Sequence, residues 1–109
     1  MIKAINKISE EFLNDYSFVR AGNEFLKAND LENAEQQYRK ALELNPKNAE
    51  AHCTLAYILE QKAMFKESLQ HLFEAINLDP NYSDAHFNLG QAMVRLGKLD
   101  EAISHLSTA

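Results

Sequence analysis

Glu50-Ala51-His52-Cys53-Thr54-Leu55-Ala56 returns as Asp84-Ala85-His86-Phe87-Asn88-Leu89-Gly90, 34 residues further along the chain. The same step carries Asn45-Pro46 onto Asp79-Pro80, Ala41 onto Ala75 and Leu44 onto Leu78. It also carries Glu67 onto Glu101, His71 onto His105 and Leu72 onto Leu106. A fixed period between about 20 and 50 residues means stacked supersecondary units, not one globular core.

Each unit reads as two helices. Phe18, Ala21, Gly22 and Phe25 follow the i, i+3, i+4, i+7 rule. Ala28-Asn29-Asp30 then ends the helix, since Asn tolerates the left-handed conformation at C′. Leu31, Ala34, Tyr38, Ala41 and Leu42 share the next face, which Asn45-Pro46 stops because proline disfavours helix in its predecessor. The plan repeats with Leu55, Ala56, Leu59 and Phe65, Leu69, Leu72, Ala75, Ile76, then with Leu89, Gly90, Met93 and Leu99, Ala102, Ile103, Leu106. The expected class is all-α, with about seven helices near 2–13, 16–28, 31–44, 49–62, 65–78, 83–96 and 99–108. Gly97 and Ala63 hold the turn position of Asn29, where a positive φ at Ala63 would carry a Cβ cost on the order of 1 kcal/mol. Short connections make sequential helices antiparallel neighbours.

With these residues in place, the chain resembles the tetratricopeptide repeat (TPR), whose pattern is W-x2-L-G-x2-Y…A-x3-F…P. The first unit supplies Phe18, Ala21, Gly22, Phe25, Ala34, Tyr38, Ala41 and Pro46 at those places. The second supplies His52, Leu55, Ala56, Leu59, Ser68, Leu72, Ala75 and Pro80, and the third His86, Leu89, Gly90, Met93, Ala102, Leu106 and Ala109. The resemblance implies a right-handed α-solenoid with units at 15–48, 49–82 and 83–109. Residues 1–14 would be a cap or the remnant of a preceding unit. Gly22, Ala56 and Gly90 would face Ala34, Ser68 and Ala102 where paired helices cross, since small side chains permit an axis separation near the low end of about 8–10 Å. The third unit stops at Ala109, before its proline and before a polar capping helix, so the chain reads as a fragment with an uncapped last helix. That helix is expected to drive homo-oligomers, by end-to-end stacking or by exchange of terminal helices.

Bulk properties remove several function classes. The net charge is −5 and no Lys/Arg run exceeds two residues, which leaves no nucleic-acid or anionic-membrane footprint. No apolar run approaches the roughly 18 residues of a membrane span. The single cysteine, Cys53, excludes an internal disulfide and fits a reducing, cytoplasmic setting.

Candidate chemistry is sparse. His52 with His86, and His71 with His105, occupy equivalent positions one repeat step apart, on the order of 10 Å. That is too far for a shared zinc at about 2.1 Å per Zn–N bond. His52 and His86 read as half-buried packing residues, His71 and His105 as exposed, and Glu32, Glu35 and Glu43 as a solvated face. Cys53 lacks an aligned base, because adjacent helical residues such as His52 point about 100° apart. The three glycines form no phosphate-cradling motif. The expectation is a non-enzyme with no metal and no cofactor.

What the resemblance adds is a groove lined by the first helix of each unit. Its inward positions fall on Val19 and Asn23 in the first unit, Cys53, Thr54 and Tyr57 in the second, and Phe87, Asn88 and Gln91 in the third. The expected function is a scaffold binding a protein, either as an extended peptide or as a partner helix, with aromatic anchors and amides pairing to peptide backbone. One alternative is a substrate-recruiting segment of a larger enzyme. Ala51–Leu55 and Ala85–Leu89 are similar to repeats of O-linked N-acetylglucosamine transferases, although the asparagine ladder of that family is half matched by Asn88 and Thr54. A co-chaperone adaptor is the other alternative, and the residues disfavour it. TPR adaptors that hold acidic chaperone tails use a Lys/Asn clamp, whereas this chain has Val19, Asn23, Thr54, Asp84 and Asn88 there.

Overall fold

The structure, a computed structural model, describes the backbone of residues 13–108 and the side chains of residues 13–97. Five helices make up the described chain: α1 (Asp15–Lys27), α2 (Leu31–Leu44), α3 (Ala49–Gln61), α4 (Phe65–Leu78) and α5 (Ser83–Thr108). The architecture is all-α, and α1–α2 and α3–α4 are tight antiparallel pairs. The helix expected near 2–13 lies outside the described residues except at Leu13, which is not helical.

The two hairpin turns have one construction. In α1–α2 the Asp30 amide donates to Phe25 O at 2.8 Å and the Asn29 amide to Leu26 O at 2.9 Å. In α3–α4 Met64 donates to Leu59 O at 2.8 Å and Ala63 to Glu60 O at 2.9 Å. This is the Schellman arrangement, which needs a left-handed residue at C′. Asn29 supplies it with φ 61° and Ala63, at the equivalent position, with φ 62°. The turns differ at the residue that starts the second helix. Asp30 caps α2 through the Asn33 amide, whereas Met64 offers α4 no side-chain cap.

The corners between hairpins are also alike. Asn45 Oδ1 accepts from the Lys47 amide at 3.1 Å, and Asp79 Oδ1 accepts from Asn81 at 3.2 Å. These Asx turns carry the chain past Pro46 and Pro80. Asn48 then caps α3 through the Ala51 amide and donates to Asp15 Oδ2 at 2.8 Å, while Asn45 donates to the same oxygen at 3.0 Å. The two amides hold the Asp15 carboxyl below the ordinary carboxylate range.

Two apolar clusters share α3. On one side Leu55, Ile58 and Leu59 pack with Val19, Ala34, Tyr38 and Ala41; on the other Cys53 and Ala56 pack with Leu72, Ala75, Ala85 and Ala92. Each fully buried Leu or Ile contributes roughly 1.5–3 kcal/mol. At the α3–α4 crossing the buried Ser68 hydroxyl is satisfied by Ala56 O at 2.8 Å. At the α1–α2 crossing Gly22 lies against the Tyr38 ring, so that an added Cβ would stand 2.8 Å from Cζ. Tyr38 is fully buried and donates its hydroxyl proton to Asn23 Oδ1.

The third unit departs from expectation. The helices expected at 83–96 and 99–108 are one element, α5, interrupted by non-helical dihedrals at Gly97 (φ −112°, ψ 21°). Without a left-handed residue at that turn there is no Schellman reversal, so the described residues form five helices where the register places six, the remaining expected helix lying outside them.

Candidate functional site

Helices α1, α3 and α5 come together on one face. Leu26 from α1, Cys53, Thr54 and Tyr57 from α3, Tyr82 just before α5, and Asp84 and Asn88 from its first turns line a cavity of about 280 Å³. Cys53, Thr54, Tyr57 and Asn88, four of the sequence-derived groove residues, therefore meet. The Asn88 amide points at Cys53 Sγ, 3.4 Å away, and fixes the middle of the cavity. Thr54 commits its hydroxyl to Glu50 O at 2.9 Å, leaving its methyl to the surroundings. Tyr57 is 37% exposed, an aromatic edge on the cavity rim.

The other groove candidates lie elsewhere. Phe87 and Gln91 border a second cavity with His86, Gly90, Val94 and Arg95, and Phe87 is 65% exposed. Asn23 borders a third with Arg20, Glu24, Leu26 and Lys27. Val19 is the misplaced one. It is 3% exposed and packs in the α1–α2–α3 core, so it offers a ligand no surface.

Burial settles the chemistry of Cys53. It pushes the thiol up to about 11, helped by the nearby carboxylates of Asp84 and Glu50, so at neutral pH the sulfur is a thiol and not a nucleophilic thiolate. Tyr82, beside it, is likewise raised by burial, then by the charge at Cys53. Among the described residues no three His, Cys, Asp or Glu side chains converge to hold a metal ion. Among them, too, no helix is long and apolar enough to cross a membrane.

Repeat arithmetic missed two arrangements. His52 and His71 are not equivalent positions, so counting by 34 never pairs them, yet their Nδ1 atoms lie 2.9 Å apart. His71 is consequently half-buried, not exposed. His52 Nε2 also donates to Pro46 O at 2.7 Å and His86 Nε2 to Pro80 O at 2.8 Å, so both histidines close a corner; His52 is buried, whereas His86, expected half-buried, is exposed. Of the acids expected on a solvated face, Glu43 is exposed but Glu32 and Glu35 are paired. Arg39 bridges Glu35 and Glu67 at 2.9 Å each, and Lys62 reaches Glu35 at 2.8 Å and Glu32 at 3.0 Å. Burial opposes the charge on Glu35, but Lys62 and Arg39 outweigh it and lower its pKa. This network joins α2 to α3–α4 and serves assembly.

Glu60 is buried at the α3–α5 contact. Its Oε1 is 3.2 Å from Arg95 Nε, near enough for an ion pair but without hydrogen-bond alignment, and neither carboxylate oxygen has another partner among the described residues.

This pattern has relatives. The TPR repeat profile matches residues 22–62 and 65–97, most of the chain. A similar solved structure is the second TPR of Spaghetti (RPAP3) bound to the HSP90 peptide SRMEEVD. It is 27% identical, covers 94% of each chain and superposes with a TM-score of 0.76. No curated protein matches in sequence comparison. The profile spans both described hairpins and continues into α5, where the Schellman turns and small-residue crossings have already fixed the repeat. The chain belongs to the TPR repeat family.

Proposed function

We propose that the chain is a non-catalytic interaction module that takes an extended peptide along the face of α1, α3 and α5. The cavity of Leu26, Cys53, Thr54, Tyr57, Tyr82, Asp84 and Asn88 carries this reading, because three helices contribute to it and a partner would contact all of them at once. Tyr57 supplies an amphipathic anchor, and Asn88 an amide able to exchange its weak sulfur contact for a peptide carbonyl. The similar second TPR of Spaghetti, which binds a peptide, supports the same mode.

The ligand differs from that peptide in charge. Asp84 stands in the cavity, and Arg20 and Lys27 lie in the adjoining one at the α1 end. An acidic segment such as SRMEEVD would set a carboxylate against Asp84. A peptide with an apolar residue at Tyr57 and a basic residue toward Asp84 fits better.

The test is selection from a displayed peptide library, followed by calorimetry on enriched sequences. Binders should lose at least about tenfold in affinity on Tyr57→Ala or Asn88→Ala. Enriched peptides indifferent to both substitutions would place the site elsewhere.

A further inference from the structure

Helix α5 leaves bare the face that its counterpart covers. In α3, His52 and Ala56 are buried against His71 and Ser68 of α4, and Leu55 and Leu59 are buried with the α1–α2 core. The equivalent residues of α5 fare otherwise: His86, Gly90 and Met93 are exposed and Leu89 is half-buried. At Gly90, no described atom lies within 4 Å of an added Cβ. The sequence carries the missing cover, since residues 98–108 repeat residues 64–74, with Ala102 in the register of Ser68 and Leu106 in that of Leu72. Yet the chain passes into this helical segment across a kink at Gly97 that lacks the left-handed turn of the other two units.

We propose that residues 98–108 pack on the His86–Met93 face of a second copy of the chain, whose own segment covers the first copy in return. Gly97 is the hinge. Reversal at the equivalent positions takes φ near +60°, seen at Asn29 (61°) and Ala63 (62°), whereas Gly97 has φ −112°. Glycine visits both regions at little steric cost, so the backbone accepts the open form as readily as the closed one. No described atom covers the Gly90 face of the same molecule. Two such chains satisfy both bare faces using contacts already specified by the repeat, a low-cost route to a dimer.

The experiment uses the crossing geometry. Ser68 lies against Ala56 O at 2.8 Å, so Gly90 and Ala102 in the same contact come within disulfide range, a Cα separation of about 4.4–6.8 Å. The variant Gly90→Cys/Ala102→Cys, in a Cys53→Ser background, is oxidised and run on a non-reducing gel. Light scattering on the unaltered chain gives its mass. The proposal expects a covalent dimer and a twofold mass. A monomeric product with both thiols consumed means that the segment closes on its own molecule and overturns the proposal. Free thiols with a monomeric unaltered chain overturn it as well. If the variant fails to fold, the mass alone decides: a monomer at the highest soluble concentration refutes the exchange.

Discussion

His71 Nδ1 donates its proton to His52 Nδ1 across 2.9 Å. The direction is set by the other end of His52, where Nε2 must carry a proton to reach Pro46 O at 2.7 Å, so neutral His52 has only Nδ1 left to accept. His71 Nε2 is then unprotonated and faces Glu67 Oε2 at 3.6 Å. Burial lowers the His71 pKa first and the neighbouring His52 next; Glu67 pulls it up and Arg39 pushes it down.

A folded-state pKa below the unfolded one means that the unfolded chain binds more protons. Stability is therefore full above about pH 6.5, the unfolded histidine value, and declines as pH falls toward the depressed folded value. For one proton the slope is at most about 1.4 kcal/mol per pH unit. Thermal melts between pH 7.5 and 5 should show this decline, and His71→Gln, which keeps a hydrogen-bonding end, should flatten it. An unchanged slope in the variant would assign the proton uptake elsewhere.

The glycines predict opposite outcomes at equivalent positions. Gly22→Ala drives a methyl into the Tyr38 ring, which is fully buried and held by its bond to Asn23, and should cost about 1–3 kcal/mol. Gly90→Ala meets no described atom within 4 Å and removes a glycine from a helix interior, and should gain about 0.5–1 kcal/mol. Urea denaturation of both variants checks the pair.

Ala63 bears a steric cost for its φ of 62° at a turn where glycine would not. Ala63→Gly should be neutral or stabilise by up to about 1 kcal/mol, against the usual loss on placing glycine in a helix. Met64→Asp should add about 1 kcal/mol by capping α4 as Asp30 caps α2. A fall in melting temperature for both would mean that the α3–α4 turn is wrongly assigned.

The acidic peptide SRMEEVD, bound by the similar second TPR of Spaghetti, should bind this chain with Kd weaker than about 1 mM, or −4.1 kcal/mol. Asp84→Lys should improve it. Micromolar binding to the unaltered chain, about −8.2 kcal/mol, would refute the charge argument.

The repeat was legible because its cause is local. Small residues at Gly22 and Ala56, positive φ at Asn29 and Ala63, and the Asx corners at Asn45 and Asp79 all recur at a fixed count. Cavity residues Cys53, Thr54, Tyr57 and Asn88 came from the groove positions that the TPR resemblance assigns within that repeat. It failed where contacts join non-equivalent positions. His52 meets His71, Glu35 is clamped by Lys62 and Arg39, and Glu60 is sealed against Arg95. Val19 was misread because its inward position is roofed by α3, a consequence of packing that no period reports. The break at Gly97 was read from the same register, but not its open form, because glycine permits both the left-handed turn and a shallow kink.

Amide chemical-shift mapping with a library-selected peptide tests the binding face most directly. Perturbations should concentrate on Leu26, Thr54, Tyr57, Asp84 and Asn88 and leave Arg39, His71 and Glu67 unmoved. Shifts centred on the Arg39–His71 side, with the α1–α3–α5 cavity silent, would contradict the account.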